Sequence, residues 1–114
     1  MKEIKAVIRP NKLPALREAL VSLPGFPGMT VAKVEGCSAP TRHITRHSIK
    51  EELTDYTAKV RIEIVAPDDV ADAIFQRITE VAQTGHYGDG LVWISDLEKV
   101  AFIFKSTPGP DSAG

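Results

Sequence analysis

Alternating apolar and polar positions mark the first element of the chain. In KEIKAVIR, residues 2–9, Ile4, Ala6 and Ile8 interleave with Glu3, Lys5 and Arg9, and only Val7 breaks the period of two. This predicts a strand that Pro10 ends. Asn11 is then placed to cap a helix with Pro14 in its first turn. Leu13, Leu16, Leu20 and Leu23 recur at spacings of three and four, which puts one apolar stripe against a core. Pro24, Gly25, Pro27 and Gly28 stop that helix and turn the chain.

Residues 29–35 follow as a second strand with β-branched Thr30, Val31 and Val34. The clearest strand is 59–66, where Val60, Ile62 and Ile64 face one way and Lys59, Arg61 and Glu63 the other. Between these two strands lies a long polar stretch, Cys37 to Ala58, which makes them a hairpin with an unusually large tip. Segments of that length between paired strands are uncommon and are either functional or unstructured. Pro67-Asp68-Asp69 then reads as a second helix start, with Asp capping and acid in the first turn. Val70, Ile74, Ile78 and Val81 supply its stripe, joined by Ala71, Phe75 and Ala82, and Gly85 is placed to end it. After the glycine-rich turn GHYGDG come a fourth strand, 91–94, and a short fifth, 99–105, with Phe102 and Phe104 on one face.

Strand, helix, strand, strand, helix, strand is the order of the split βαβ, or ferredoxin-like, α+β sandwich. Two helices would cover one face of an antiparallel sheet. The other face, with Val7, Val31 and Val65 among charges, is expected to be partly buried, which suggests self-association. Residues 1–105 are expected to form a single domain and 106–114, polar and rich in Pro and Gly, a disordered tail.

Composition narrows the function classes. The chain has 114 residues, 43% hydrophobic and 25% charged, enough for one core. The formal net charge of −1 is against a nucleic-acid binder, whose affinity rests on excess Lys and Arg. An RNA-recognition domain shares the element order but would carry stacking aromatics where this chain has KVRIEIV. No apolar run approaches the ~18 residues of a membrane span, so direct membrane insertion is not expected. The N-terminus reads at once as a strand rather than as a charged-then-apolar leader, and the expected location is the cytoplasm. One cysteine gives no internal disulfide.

Candidate chemistry concentrates in the polar stretch. His43 and His47 are four apart, so on a helical turn both imidazoles would share one side. With Cys37, Glu51 and Asp55 nearby they would suit zinc or another transition metal, whereas two histidines in a polar loop are otherwise simply solvated. Cys37 beside a histidine satisfies only part of what a nucleophilic site needs, with no elbow motif and no oriented base, so an enzyme is not expected. The 85–90 turn offers backbone N–H groups that would cradle an anion, against the plainer reading of a helix stop and a tight turn.

Taken together, KEIKAVIRPNKLPALREAL, PGMTVAKVEG, KVRIEIVAPDD and QTGHYGDGLVWISDLEKV resemble the PII family of signal-transduction proteins, over about residues 1–105. The resemblance implies a trimer of ferredoxin-like subunits. It also implies adenine-nucleotide clefts between subunits and an effector loop, here 37–58, that docks on a partner such as a membrane transporter or a metabolic enzyme. On it, Thr30, Gly36, Glu63, Val65, Gly85, Gly88, Asp89 and Gly90 fall at nucleotide-cleft positions, and Lys59 at the position that contacts 2-oxoglutarate. Arg42, Arg46, Lys50, Glu51 and Glu52 are the charged loop residues for partner contact.

The pattern departs from the family at named positions. Leu91, Phe102 and Phe104 stand where the family has three phosphate-binding cations, Pro40 where it has a metal- and oxoglutarate-binding glutamine, and Glu52 where it has a modifiable tyrosine. Each missing charge-assisted contact is worth about 1.5–3 kcal/mol, so ATP is expected to bind several decades more weakly than in typical members. Lys99, Lys105 or a neighbour's loop arginine would offset part of that. The loop sequence SAPTRHITRHSIKEELTDY also resembles a divergent PII branch associated with heavy-metal efflux transporters. That likeness carries the alternative of a metal-responsive regulator acting through His43 and His47.

Overall fold

A computed structural model of the chain describes residues 1–37 and 56–104. The elements are β1 (Lys2–Ile8), a 3-10 turn (Pro10–Lys12), α1 (Leu13–Val21), β2 (Thr30–Gly36), β3 (Thr57–Ala66), α2 (Asp68–Ala82) and β4 (Gly90–Asp96). The four strands form one antiparallel sheet in the order β2-β3-β1-β4. β2 and β3 pair directly, Thr30 opposite Glu63 and Gly36 opposite Thr57, so the 37–58 stretch does sit on a hairpin.

Alternation along the strands decides the two faces. Ile4, Ala6 and Ile8 of β1 and Val60, Ile62, Ile64 and Ala66 of β3 are buried on one side. Leu16 and Leu20 from α1 and Ala71, Ile74, Ile78 and Ala82 from α2 close over them, at the positions that the helical stripe required. Arg77 ties the helices together by donating to the Ala19 carbonyl at 3.0 Å. The opposite face carries Glu3, Lys5, Val7, Arg61, Glu63, Val65 and, on β4, Leu91 and Trp93. This is the ferredoxin-like arrangement expected from the element order.

Three local expectations change. Asn11 does not cap α1: Pro10 fixes the backbone into a 3-10 turn that absorbs Asn11, and α1 starts from Lys12 with no side-chain cap. Neither Asp68 nor Asp69 caps α2. Pro67 occupies the cap position in an extended conformation, and both aspartates lie in the first turn, where Asp68 pairs with the N-terminal ammonium at 3.0 Å. The fifth strand is not formed by residues 99–104. Alternation in that segment describes how it would sit beside a neighbouring strand; at its approach, Leu97 N–H donates to the Met1 carbonyl at 3.1 Å. Beyond it Phe102, Ile103 and Phe104 are exposed. The expected tail, 106–114, lies outside the described residues.

Candidate functional site

β1 is the hinge of the site because Ile8 stands opposite both Val60 of β3 and Gly90 of β4. The residues just outside those pairs, Arg9, Lys59 and the 84–89 turn, are thereby gathered at one end of the sheet. That is also the end from which the 37–58 stretch leaves β2 and re-enters β3.

Arg9 reaches over the turn. Its Nε donates to the Asp89 carboxylate at 3.0 Å and its Nη2 to the Tyr87 carbonyl at 2.8 Å. Lys59 donates to the Gly88 carbonyl. It is the one buried charged side chain among the described residues, 8% exposed. Loss of hydration lowers the Lys59 pKa from the ordinary lysine value, the Arg9 guanidinium adds to that, and Asp89 opposes it.

Asp89 organises the turn from within. Its carboxylate accepts from the Thr84 hydroxyl, from Thr84 N–H at 2.6 Å and from Gly85 N–H at 3.0 Å, as well as from Arg9. The Thr84 bonds are the main reason its pKa lies far below the usual carboxylate range, and Arg9 and Gly85 add to them. The turn therefore does cradle an anion, and the anion is its own side chain. Gly90 then brings β4 against β1 so closely that an added Cβ would lie 1.8 Å from the Val7 carbonyl oxygen.

The expected ligand residues thus fall into two groups. Lys59, Gly88, Asp89 and Gly90 surround the turn, with Gly85 in its first half. Gly36 is close by, since a Cβ there would lie 3.4 Å from Lys59 Cγ. Thr30, Glu63 and Val65 instead line an open groove of about 580 Å³ with Glu3, Met29 and Phe102. Along β3 the two groups are four residues apart, roughly 13 Å at strand spacing. A second groove, about 660 Å³, opens on the hairpin root beside Lys33, Glu35, Ala58 and Lys59.

Sequence reasoning missed Arg9, Thr84 and Glu3. Arg9 shares the strand parity of Lys5 and Val7, which was a usable signal for its face. Its reach to the turn was not readable without the strand order. His43, His47, Arg42, Arg46, Lys50, Glu51 and Glu52 lie outside the described residues. Among the described residues no group of three or more His, Cys, Asp or Glu side chains is placed to hold a metal. No described helix is long and apolar enough to cross a membrane.

A split-βαβ sheet with a long segment rooted beside a glycine turn defines the class as a small ferredoxin-like domain. Its family follows from comparison with known proteins. The family model described as nitrogen regulatory protein P-II matches residues 1–106. The chain is 42% identical over 103 residues to nitrogen regulatory protein P-II 1 of Escherichia coli K12, covering 90% of this chain and 91% of that protein. It is 41% identical over 103 residues to the P-II protein of Klebsiella oxytoca, covering 90% and 91%, and 36% identical over 112 residues to that of Rhizobium meliloti, covering 98% and 99%. The chain belongs to the PII family of nitrogen regulatory proteins. It is a regulatory signalling protein and not an enzyme. The names of these relatives say nothing of metal efflux, so that branch is not supported.

Proposed function

We propose that the chain assembles as a homotrimer, binds a small effector in its subunit clefts and controls a partner protein through the 37–58 loop. The two groups of ligand residues support a cleft shared between copies. Separated along β3 within one subunit, they would meet when the 84–90 turn of one copy faces the Thr30–Glu63 groove of the next.

The observation that carries the reading is the bond from Lys59 to the Gly88 carbonyl. Lys59 is the third residue of β3, the strand that brings the loop back into the sheet. A ligand that alters the turn therefore acts on the loop's root through a single side chain. Such coupling requires the ligand to favour one state of the loop over the other. Arg42, Arg46, Lys50, Glu51 and Glu52 then present charges of both signs to a partner, a membrane transporter or a metabolic enzyme.

The test is limited trypsin digestion at Arg42, Arg46 and Lys50, run with and without adenine nucleotides, on a sample sized by light scattering. Ligand-dependent cleavage in the wild type, lost in Lys59→Ala with the trimer intact, is expected. A monomer, or cleavage indifferent to every ligand tried, overturns the reading.

A further inference from the structure

The glycine turn also has a back, on the helix side of the sheet. Ile8, opposite Gly90, and Ala6, opposite Val92, are buried on that side of β1. α2 crosses over them and stops at Ala82, and Gln83 leaves in an extended conformation, φ −77° and ψ 143°. At this crossing the helix contributes only the methyl group of Ala82, and β4 contributes no side chain at Gly90. The space they leave is a cavity of about 120 Å³ lined by Ile8, Ile78, Ala82 and Val92. Close-packed interiors hold few voids larger than a water molecule. Exposed Thr79 and Gln83 border this one, so it communicates with solvent.

The chemistry of the lining decides what fits. A water molecule needs two to four polar partners to reside in a cavity. Two polar side chains of this wall are already engaged. The Thr79 hydroxyl donates to the Phe75 carbonyl at 3.0 Å, and the Asp89 carboxylate accepts from Thr84, Gly85 and Arg9. Gln83 is exposed, so its amide is served by solvent. What remains inside is hydrocarbon, and an apolar void of roughly 150 Å³ stays dry and takes a benzene-sized guest.

We propose that this cavity is a binding site for a compact uncharged ligand of about six heavy atoms, an aromatic ring or a branched hydrocarbon. The site goes beyond the cleft of the proposed function. Every residue that lines it belongs to one chain, and it lies across the sheet from the groove at Thr30 and Glu63. Asp89 joins the two sides: it lines the cavity, and its carboxylate holds Thr84 N–H and Gly85 N–H on the turn. A guest seated against Asp89 and Gly90 therefore restrains the 84–90 turn from behind and slows the opening of those two amides.

NMR titration of the full chain with benzene and with pyrazine tests it. The two rings match in size, but pyrazine gives up hydrogen bonds to water at both nitrogens. Benzene is expected to bind at least about tenfold more tightly, with shifts at Ile78, Ala82 and Val92. Equal affinities, or binding of neither ring, overturn the proposal. Ala82→Leu fills the cavity, and Thr79→Phe covers its rim from an exposed position that keeps the test valid if Ala82→Leu does not fold. Each is expected to weaken benzene binding at least about tenfold. Benzene affinity unchanged in Thr79→Phe and in folded Ala82→Leu places the ring elsewhere and overturns the site. With benzene at twice its dissociation constant, hydrogen exchange at Thr84 and Gly85 is expected to slow about threefold. Unchanged exchange at those amides overturns the link to the turn.

Discussion

Gly90→Ala tests the closest backbone approach in the site. At φ +107°, an added Cβ would sit 1.8 Å from the Val7 carbonyl oxygen and 2.8 Å from its carbon, where real Cβ contacts essentially never fall below 3.0 Å. Backbone cannot swing aside as a flexible side chain would, so β4 must lift from β1 at the Ile8–Gly90 pair. The positive φ costs an L-residue about 1–2 kcal/mol. Losing one or two ladder hydrogen bonds adds about 1 kcal/mol each. The sum is about 2–4 kcal/mol, a large share of a domain's usual 5–15 kcal/mol. Gly28→Ala is the matched control, because Gly28 has nearly the same φ, +110°, and nothing within 4 Å of the added Cβ. It should lose only the strain component. For a chain of this length each kcal/mol is worth roughly 3–5 °C in melting temperature, so drops of about 6–20 °C and 3–10 °C are expected. Calorimetric melts at a single protein concentration measure both, since assembly is coupled to stability. Equal destabilisation by the two substitutions would refute the steric argument.

Three further outcomes follow from the same geometry. Ile62→Ala empties the centre of the sheet, at a fully buried side chain between Ala6 and Val31, and should cost about 2–5 kcal/mol in urea unfolding with an unchanged slope. Asp89 binds its proton less readily when folded than when unfolded. Its contribution is therefore complete above the unfolded carboxylate pKa, near 3.9, and fades as the pH falls toward the much lower folded value. Asp89→Asn should accordingly flatten the loss of stability below about pH 4, and superimposable acid profiles would count against the bonds to Thr84 and Arg9. Arg9→Ala removes the donor shared by Asp89 and the Tyr87 carbonyl. It should speed amide hydrogen exchange across residues 84–90 while β1 and β3 stay protected, a pattern that uniform deprotection would contradict.

The scaffold was legible because its signals are local. A period of two in β1 and β3 and a period near 3.6 in α1 and α2 survive any packing that keeps one face buried, so those elements and their core residues came out of the sequence. The misread details are those where a local preference met a competitor. Asn11 and Asp68 are good caps, but a neighbouring proline had already set the backbone at each helix start. Residues 99–104 have strand composition, but composition does not supply the edge that a strand must pair with.

The site was less legible because it is made of distant parts. Alternation assigns Lys59 to the same face as Arg61 and Glu63, and on that face a lysine is ordinarily solvated. It is buried because β1 lies between β3 and β4, so that Arg9 and the 84–89 turn close over it. Nothing in the local sequence around Lys59 encodes Gly88, 29 residues on. Asp89 poses the same difficulty in sharper form. In a GDG turn its carboxylate can face outward toward a ligand or inward toward Thr84 and Gly85, and the residue letters are identical in the two cases. The inward arrangement turns an apparent anion cradle into one already filled.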